Sequence, residues 1–166
     1  MAKNKTYNPI GADSALYGWV GLDSAEFAER MKLASIRFRA LKKELKFDAI
    51  AFCGSSGCAV AFTLAAKYKI PLIYVRKTYE KCHSRSKVEC NNKNVQVKKY
   101  LIVDDFVDTG GTVDYIVSTI TKYAKAACAY PAEPVGVLCF DPYQDRDRSM
   151  ETEVVSLTIF TVETQG

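Results

Sequence analysis

The chain has no apolar run near the roughly 18 residues that a membrane-crossing helix needs, so neither a span nor a membrane partner is expected. Its opening residues, MAKNKTYNPIG, lack the apolar centre of a secretion signal, which argues against export and leaves a cytoplasmic location as the expectation. No linker-like stretch divides the 166 residues and no segment repeats. With an apolar fraction of 48%, residues 1–166 are expected to form a single domain with a substantial core. Histidine is nearly absent: His83 stands alone, beside Cys82 and seven residues before Cys90. That spacing offers no paired ligands and no fourth donor, so zinc is not expected. A strong charge imbalance is missing too. The net charge of +4 tolerates a small polyanionic substrate, but the basic residues crowd one loop without aromatic interleaving, which argues against nucleic acid. Six cysteines are present, yet Cys53, Cys58, Cys128 and Cys139 have apolar or small neighbours, as reduced core residues do, and no disulfide framework is expected.

What the chain does contain is concentrated in Tyr100 to Val113, YLIVDDFVDTGGTV. Leu101-Ile102-Val103 has the β-branched character of a strand buried on both faces, as in a parallel sheet. It stops at two adjacent carboxylates, Asp104 and Asp105. Asp108-Thr109-Gly110-Gly111-Thr112 then leads into a helical pattern. Ligands of open α/β sheets bind at the carboxyl edge, and glycines and threonines entering a helix supply amides, hydroxyls and a positive helix end for a phosphate. The acidic pair repels phosphate but accepts hydrogen bonds from vicinal hydroxyls and can recruit magnesium. A ribose carrying a terminal phosphate satisfies both halves of the segment.

Around this segment the chain alternates helix and strand. Residues 1–22 show no sustained period and read as an irregular arm. Asp23 with Glu26 forms a capping box, after which Phe27, Met31, Ala34, Phe38, Leu41 and Leu45 recur at helical spacing to about Lys46. Phe47 to Cys53 is a predicted strand, followed by Gly54-Ser55-Ser56-Gly57 and a helix from Cys58 to about Tyr68. Such a loop lets the backbone approach an anion and offers a second phosphate site. Ile70 to Val75 is the next strand and delivers Arg76-Lys77. From Arg76 to Lys99 eight Lys or Arg face only Glu80 and Glu89, the composition of a long mobile loop of positive charge, set at 77–97. Val113 to about Ala129 is a helix with Ile116, Ile120 and Tyr123 on one face, stopped by Pro131 and Pro134. Val135 to Phe140 is a strand that brings Asp141-Pro142-Tyr143 to the carboxyl edge. A charged turn, Gln144 to Glu153, precedes a final strand from Val154 to Val162. The order predicts an α/β fold with a mostly parallel twisted sheet flanked by helices.

The Asp-Asp-x-x-x-Thr-Gly-x-Thr pattern carried by Asp104, Asp105, Thr109, Gly110 and Thr112 resembles the ribose-5-phosphate signature of the type I phosphoribosyltransferases, and its DDFVDTGGT form is most similar to the xanthine-guanine (6-oxopurine) branch. The resemblance implies that family's fold with a small irregular hood, a homodimer, and displacement of pyrophosphate from 5-phosphoribosyl diphosphate by a nucleobase, most simply a purine, or another amine, with magnesium as cofactor. It implies that Asp104 and Asp105 bind the ribose hydroxyls and magnesium and stabilise the cationic transition state. Asp108 to Thr112, including Gly111, would hold the 5′-phosphate, with Asp108 as candidate general base. Gly54, Ser55, Ser56 and Gly57, with Arg76 and Lys77, would hold the pyrophosphate under a closing loop. Family members often place a cis peptide in that loop, here at Ser55-Ser56. Phe140, Asp141 and Tyr143 are the candidate base contacts. The oxopurine branch has a lysine where this chain reads Cys139-Phe140-Asp141, and a carboxylate there favours a nucleophile that presents an amino group. The alternative is a regulatory domain that binds 5-phosphoribosyl diphosphate or a nucleotide without turnover. An aspartate-nucleophile phosphohydrolase is disfavoured, because such enzymes place Asp-x-Asp after the N-terminal strand.

Overall fold

In a computed structural model, which describes residues 24–55, 57–80, 86–91, 96–126, 131–140 and 146–162, the first element is helix α1, Ser24–Leu45. Its Ala34, Phe38 and Leu41 are fully buried and Phe27, Met31 and Leu45 partly so, as their helical spacing predicts. The helix ends where Lys46 takes a left-handed conformation (φ +53°). The remaining elements are β1 (Ala49–Cys53), α2 (Cys58–Tyr68), β2 (Leu72–Val75), β3 (Val88–Cys90), β4 (Lys99–Asp104), α3 (Gly111–Ala126), β5 (Glu133–Cys139), β6 (Arg148–Glu151) and β7 (Ser156–Thr161). The arm 1–22, Asp23 of the capping box, and the Cys82-His83 pair lie outside the described residues.

The seven strands form one sheet in the order β3-β2-β1-β4-β5-β7-β6. β2, β1, β4, β5 and β7 are mutually parallel, and β3 and β6 are antiparallel edges. One face packs against α1 and α2 through Phe38, Phe52, Leu64, Leu101 and Phe140; the other packs against α3 through Ile102, Val113, Ile116 and Val137. Each fully buried aliphatic or aromatic side chain in these layers contributes about 1.5–3 kcal/mol relative to exposure. This two-sided cover explains the continuous apolar runs of β1 and β4. Among the described residues no helix is long and apolar enough to cross a membrane.

The topology positions the site. From β1 the chain turns to β2 on one side and later to β4 on the other, so the strand order reverses between β1 and β4. Their carboxyl ends border the crevice where open α/β sheets bind ligands.

The structure departs from expectation at the margins. β3 lies inside the basic segment expected as an open loop over 77–97, and β6 lies inside the expected charged turn. Pro134 does not act as a helix stop but sits in β5 opposite Tyr100, beside a register irregularity. Tyr123, expected on the buried face of α3, is 50% exposed.

Candidate active site

Asp104 ends β4 and Asp105 follows it; both are buried. An oxygen of Asp104 accepts the N–H of Asp105 (3.1 Å) and Oδ1 of Asp105 accepts that of Phe106 (2.8 Å), so backbone bonds fix both carboxylates at the strand exit. The chain then turns through Gly110, whose φ of +84° only glycine adopts readily, and enters α3 at Gly111. A β-carbon on Gly110 would stand 2.8 Å from Cγ2 of Thr152, so side-chain bulk is excluded there as well. Asp108, Thr109, Gly111 and Thr112 are exposed, and Phe106 to Val113 line a pocket of about 280 Å³. The free N–H groups of the first turn of α3 open there, and the helix dipole adds positive potential.

The second loop leaves β1. Gly54 has φ +66°, and the aliphatic end of Lys77 lies over it: a β-carbon at Gly54 would be 2.6 Å from Cε of Lys77. Ser55 is exposed, and its carbonyl accepts the Cys58 N–H (3.2 Å). Gly57 caps α2 and presses on β4, because a β-carbon there would be 2.4 Å from the Val103 carbonyl oxygen. Only glycine allows this approach, which brings the second loop against the strand that carries Asp104. A pocket of about 270 Å³ opens between the exits of β1 and β2 and the start of α3, lined by Cys53, Lys77, Tyr79, Gly111, Thr112 and Tyr115. The Tyr115 hydroxyl donates to the Arg76 carbonyl (2.7 Å) and ties α3 to the exit of β2.

Cations and carboxylates at the exit of β2 already engage one another. Arg76 forms a forked ion pair with Glu89 of β3 (2.9 and 3.3 Å) and stacks on Tyr74 (4.7 Å). Glu80 accepts from the Tyr74 hydroxyl (2.8 Å) and the Lys77 N–H (3.2 Å). Burial, helped by the Glu80 bond, pushes the Tyr74 phenol up to about 12. Burial likewise pushes the Cys53 thiol up to about 11, with Lys77 opposing and Asp104 adding to the rise. A thiol raised in this way stays protonated at neutral pH.

Phe140, expected as a base platform, is 1% exposed and belongs to the core beneath α1 and α2, so it has no open ring face for a ligand. Sequence alone could not separate the two roles, since an apolar residue ending a buried strand serves either. Ser56, Asp141 and Tyr143 lie outside the described residues, and with Ser56 the expected cis peptide.

Residues 22–132 match the phosphoribosyl transferase domain family, about two thirds of the chain. The chain belongs to the phosphoribosyltransferase family. A curated relative, the adenine phosphoribosyltransferase of Malacoplasma penetrans (strain HF-2), is 29% identical over 122 residues, covering 65% of this chain and 71% of that protein. Among solved structures, the orotate phosphoribosyltransferase of Aeropyrum pernix superposes with a TM-score of 0.57 at 18% identity, covering 84% of this chain and 72% of that one. The adenine phosphoribosyltransferase of Saccharomyces cerevisiae gives 0.52 at 18% identity, covering 70% and 68%. These two likenesses show the shared fold.

For a phosphoribosyltransferase the implied metal is magnesium. Among the described residues no cluster of three or more His, Cys, Asp or Glu side chains could cage an ion alone. Asp104 and Asp105 nevertheless fit this cation, which binds through one or two carboxylates completed by substrate phosphate oxygens and water. Sequence reasoning overlooked three residues around the signature loop. These are Tyr115, and Arg148 and Thr152 from the β6 region, which contact the loop at Val107, Gly110 and Asp114. A single apolar residue, Met150, among Arg148, Ser149 and Glu151 is too little alternation to mark β6 in the sequence.

Proposed function

We propose that this phosphoribosyltransferase moves the 5-phosphoribosyl group of 5-phosphoribosyl diphosphate to a ring nitrogen of a purine, releasing pyrophosphate. The observation that carries the reading is the close packing of Gly57, from the loop after β1, on the Val103 carbonyl of β4, the strand that delivers buried Asp104 and Asp105 and the second glycine loop at the β1/β4 switch point. The Asp108 to Thr112 loop holds the 5′-phosphate through amides and hydroxyls. Gly54 to Gly57 with Lys77 receives the pyrophosphate, and Arg76 joins by exchanging Glu89 for the ligand. Magnesium, when bound, neutralises pyrophosphate charge and improves it as a leaving group. As the anomeric C–O bond breaks, positive charge grows on the ribose ring, and the two buried carboxylates stabilise it electrostatically. The purine nitrogen forms the new C–N bond, and exposed Asp108 accepts the proton the base loses.

For the acceptor we place adenine ahead of the 6-oxopurines. The likeness to the xanthine-guanine branch rests on the signature segment alone, whereas the similarity to an adenine enzyme runs over 122 residues. Asp141 follows Phe140 where the oxopurine branch has lysine, and a carboxylate accepts from an amino group.

Pyrophosphate release, measured with 5-phosphoribosyl diphosphate, magnesium and a panel of purines, pyrimidines and other amines, tests the reading. Release driven by adenine supports it in full; release driven only by oxopurines moves the acceptor. Binding without release across the panel favours a regulatory domain instead. Asp108→Asn is expected to lower turnover about a hundredfold while retaining diphosphate binding, and full activity in that variant removes the general-base role.

A further inference from the structure

The loop assigned to the 5′-phosphate is held from behind by a segment outside the matched family domain, which ends at residue 132. Arg148, at the start of β6, donates from its guanidinium to the Val107 carbonyl at 2.6 Å. Met150 and Thr152 come within 3.0 and 2.8 Å of where a Gly110 β-carbon would stand. The Thr152 hydroxyl bonds the Asp114 carboxylate in the first turn of α3 and the Val155 carbonyl (2.9 Å). The β6 segment therefore touches the loop before, at and after its turn.

The Arg148 contact has a directional consequence. In a planar trans peptide, the C=O of residue 107 and the N–H of residue 108 point in opposite directions. Anchoring the Val107 oxygen to Arg148 aims the Asp108 amide away from β6, toward the open side of the loop where Asp108, Thr109 and Thr112 are exposed. Without that bond the peptide is free to rotate its carbonyl into the pocket, presenting a negative dipole where phosphate oxygens belong.

We propose that Arg148 is a positioning residue that sets the 5′-phosphate cradle by fixing the peptide between Val107 and Asp108, with Thr152 bracing Gly110 and α3. The inference rests on reading this loop as the phosphate site. Arg148 acts through the loop backbone, at the Val107 carbonyl.

Affinities of the full chain for ribose 5-phosphate and for inorganic pyrophosphate, measured by titration calorimetry in magnesium buffer, test it. Arg148→Met is expected to weaken ribose 5-phosphate about tenfold, the scale of one charge-assisted hydrogen bond, and to leave pyrophosphate affinity unchanged. Arg148→Lys, which keeps a cationic donor, is expected to recover most of the loss. Equal weakening of both ligands would mark a general structural role and overturn the proposal, as would unchanged ribose 5-phosphate affinity in folded Arg148→Met. If Arg148→Met loses its native circular dichroism, Thr152→Val replaces it: selective weakening of ribose 5-phosphate supports the brace, and equal or no weakening overturns it. Failure of the unmodified chain to bind ribose 5-phosphate overturns the phosphate-loop reading itself, and the brace falls with it.

Discussion

The exits of β4 and β2, to which the two halves of the proposed site are assigned, are built in opposite ways. At β4 the backbone shape is fixed: Gly110 is locked by its φ and its neighbours, and the carboxylates are buried. At β2 the exit carries long side chains that already have partners, with Arg76 on Glu89 and Glu80 on Tyr74 and the Lys77 backbone. A preorganised loop binds without reorganisation, whereas a paired cation must exchange one partner for another. The β4 exit is therefore expected to fix where the sugar phosphate sits, and the β2 exit to respond when pyrophosphate arrives or leaves.

Removing the charge buried at β4 challenges this contrast most severely. Asp104→Asn with Asp105→Asn is expected to lower the rate of pyrophosphate release by about a hundredfold or more, with the circular dichroism spectrum preserved. A loss below about threefold would mean that the acidic pair does not act on the transition state. Gly110→Ala attacks shape without charge. The strained φ and the clash with Thr152 are expected to cost about 1–3 kcal/mol in denaturant unfolding and to weaken ribose 5-phosphate binding. An alanine variant as stable as the parent would show that the loop is not locked.

Cys53 lies between the two exits and reports on burial there. Its thiol is raised from 9.0 to about 11, so the folded state holds the proton more tightly than the unfolded chain. The resulting stability is complete below pH 9 and is lost as pH rises through about 11. Thermal melts from about pH 8 to 11 should therefore fall more steeply for the parent than for Cys53→Ala. Parallel curves would contradict the burial of this thiol. The smallest effect is expected at β2: Glu89→Gln removes the carboxylate from a partly exposed pair with Arg76 and should raise pyrophosphate affinity by about twofold to fivefold, because partly exposed pairs contribute little. Reduced affinity would mean that Glu89 holds Arg76 in its binding position.

The same contrast governs what could be read in advance. The strand, turn and helix at the β4 exit were legible because they depend on residue types at fixed spacing: acids after a buried strand, then glycines and threonines before a helix. The helices were legible from the period of Phe38 and Leu41 in α1 and of Ile116 and Ile120 in α3. β3 and β6 were not, because edge strands bury little: Val88 alone in one and Met150 alone in the other give no alternation to detect among charges. The pairing of Arg76 with Glu89 depends on an antiparallel register across β2 and β3 that composition does not encode. Phe140 was ambiguous because both faces of a central strand are apolar, and only the packing of α1 and α2 decides which face a side chain occupies.

Chromatographic detection of product from 5-phosphoribosyl diphosphate, magnesium and adenine bears most directly on the proposed transfer. Adenosine monophosphate and pyrophosphate are expected in equal amounts from the parent chain, and at a rate at least about a hundredfold lower from Asp104→Asn with Asp105→Asn. No nucleotide from any purine, despite measurable binding of 5-phosphoribosyl diphosphate, would contradict it.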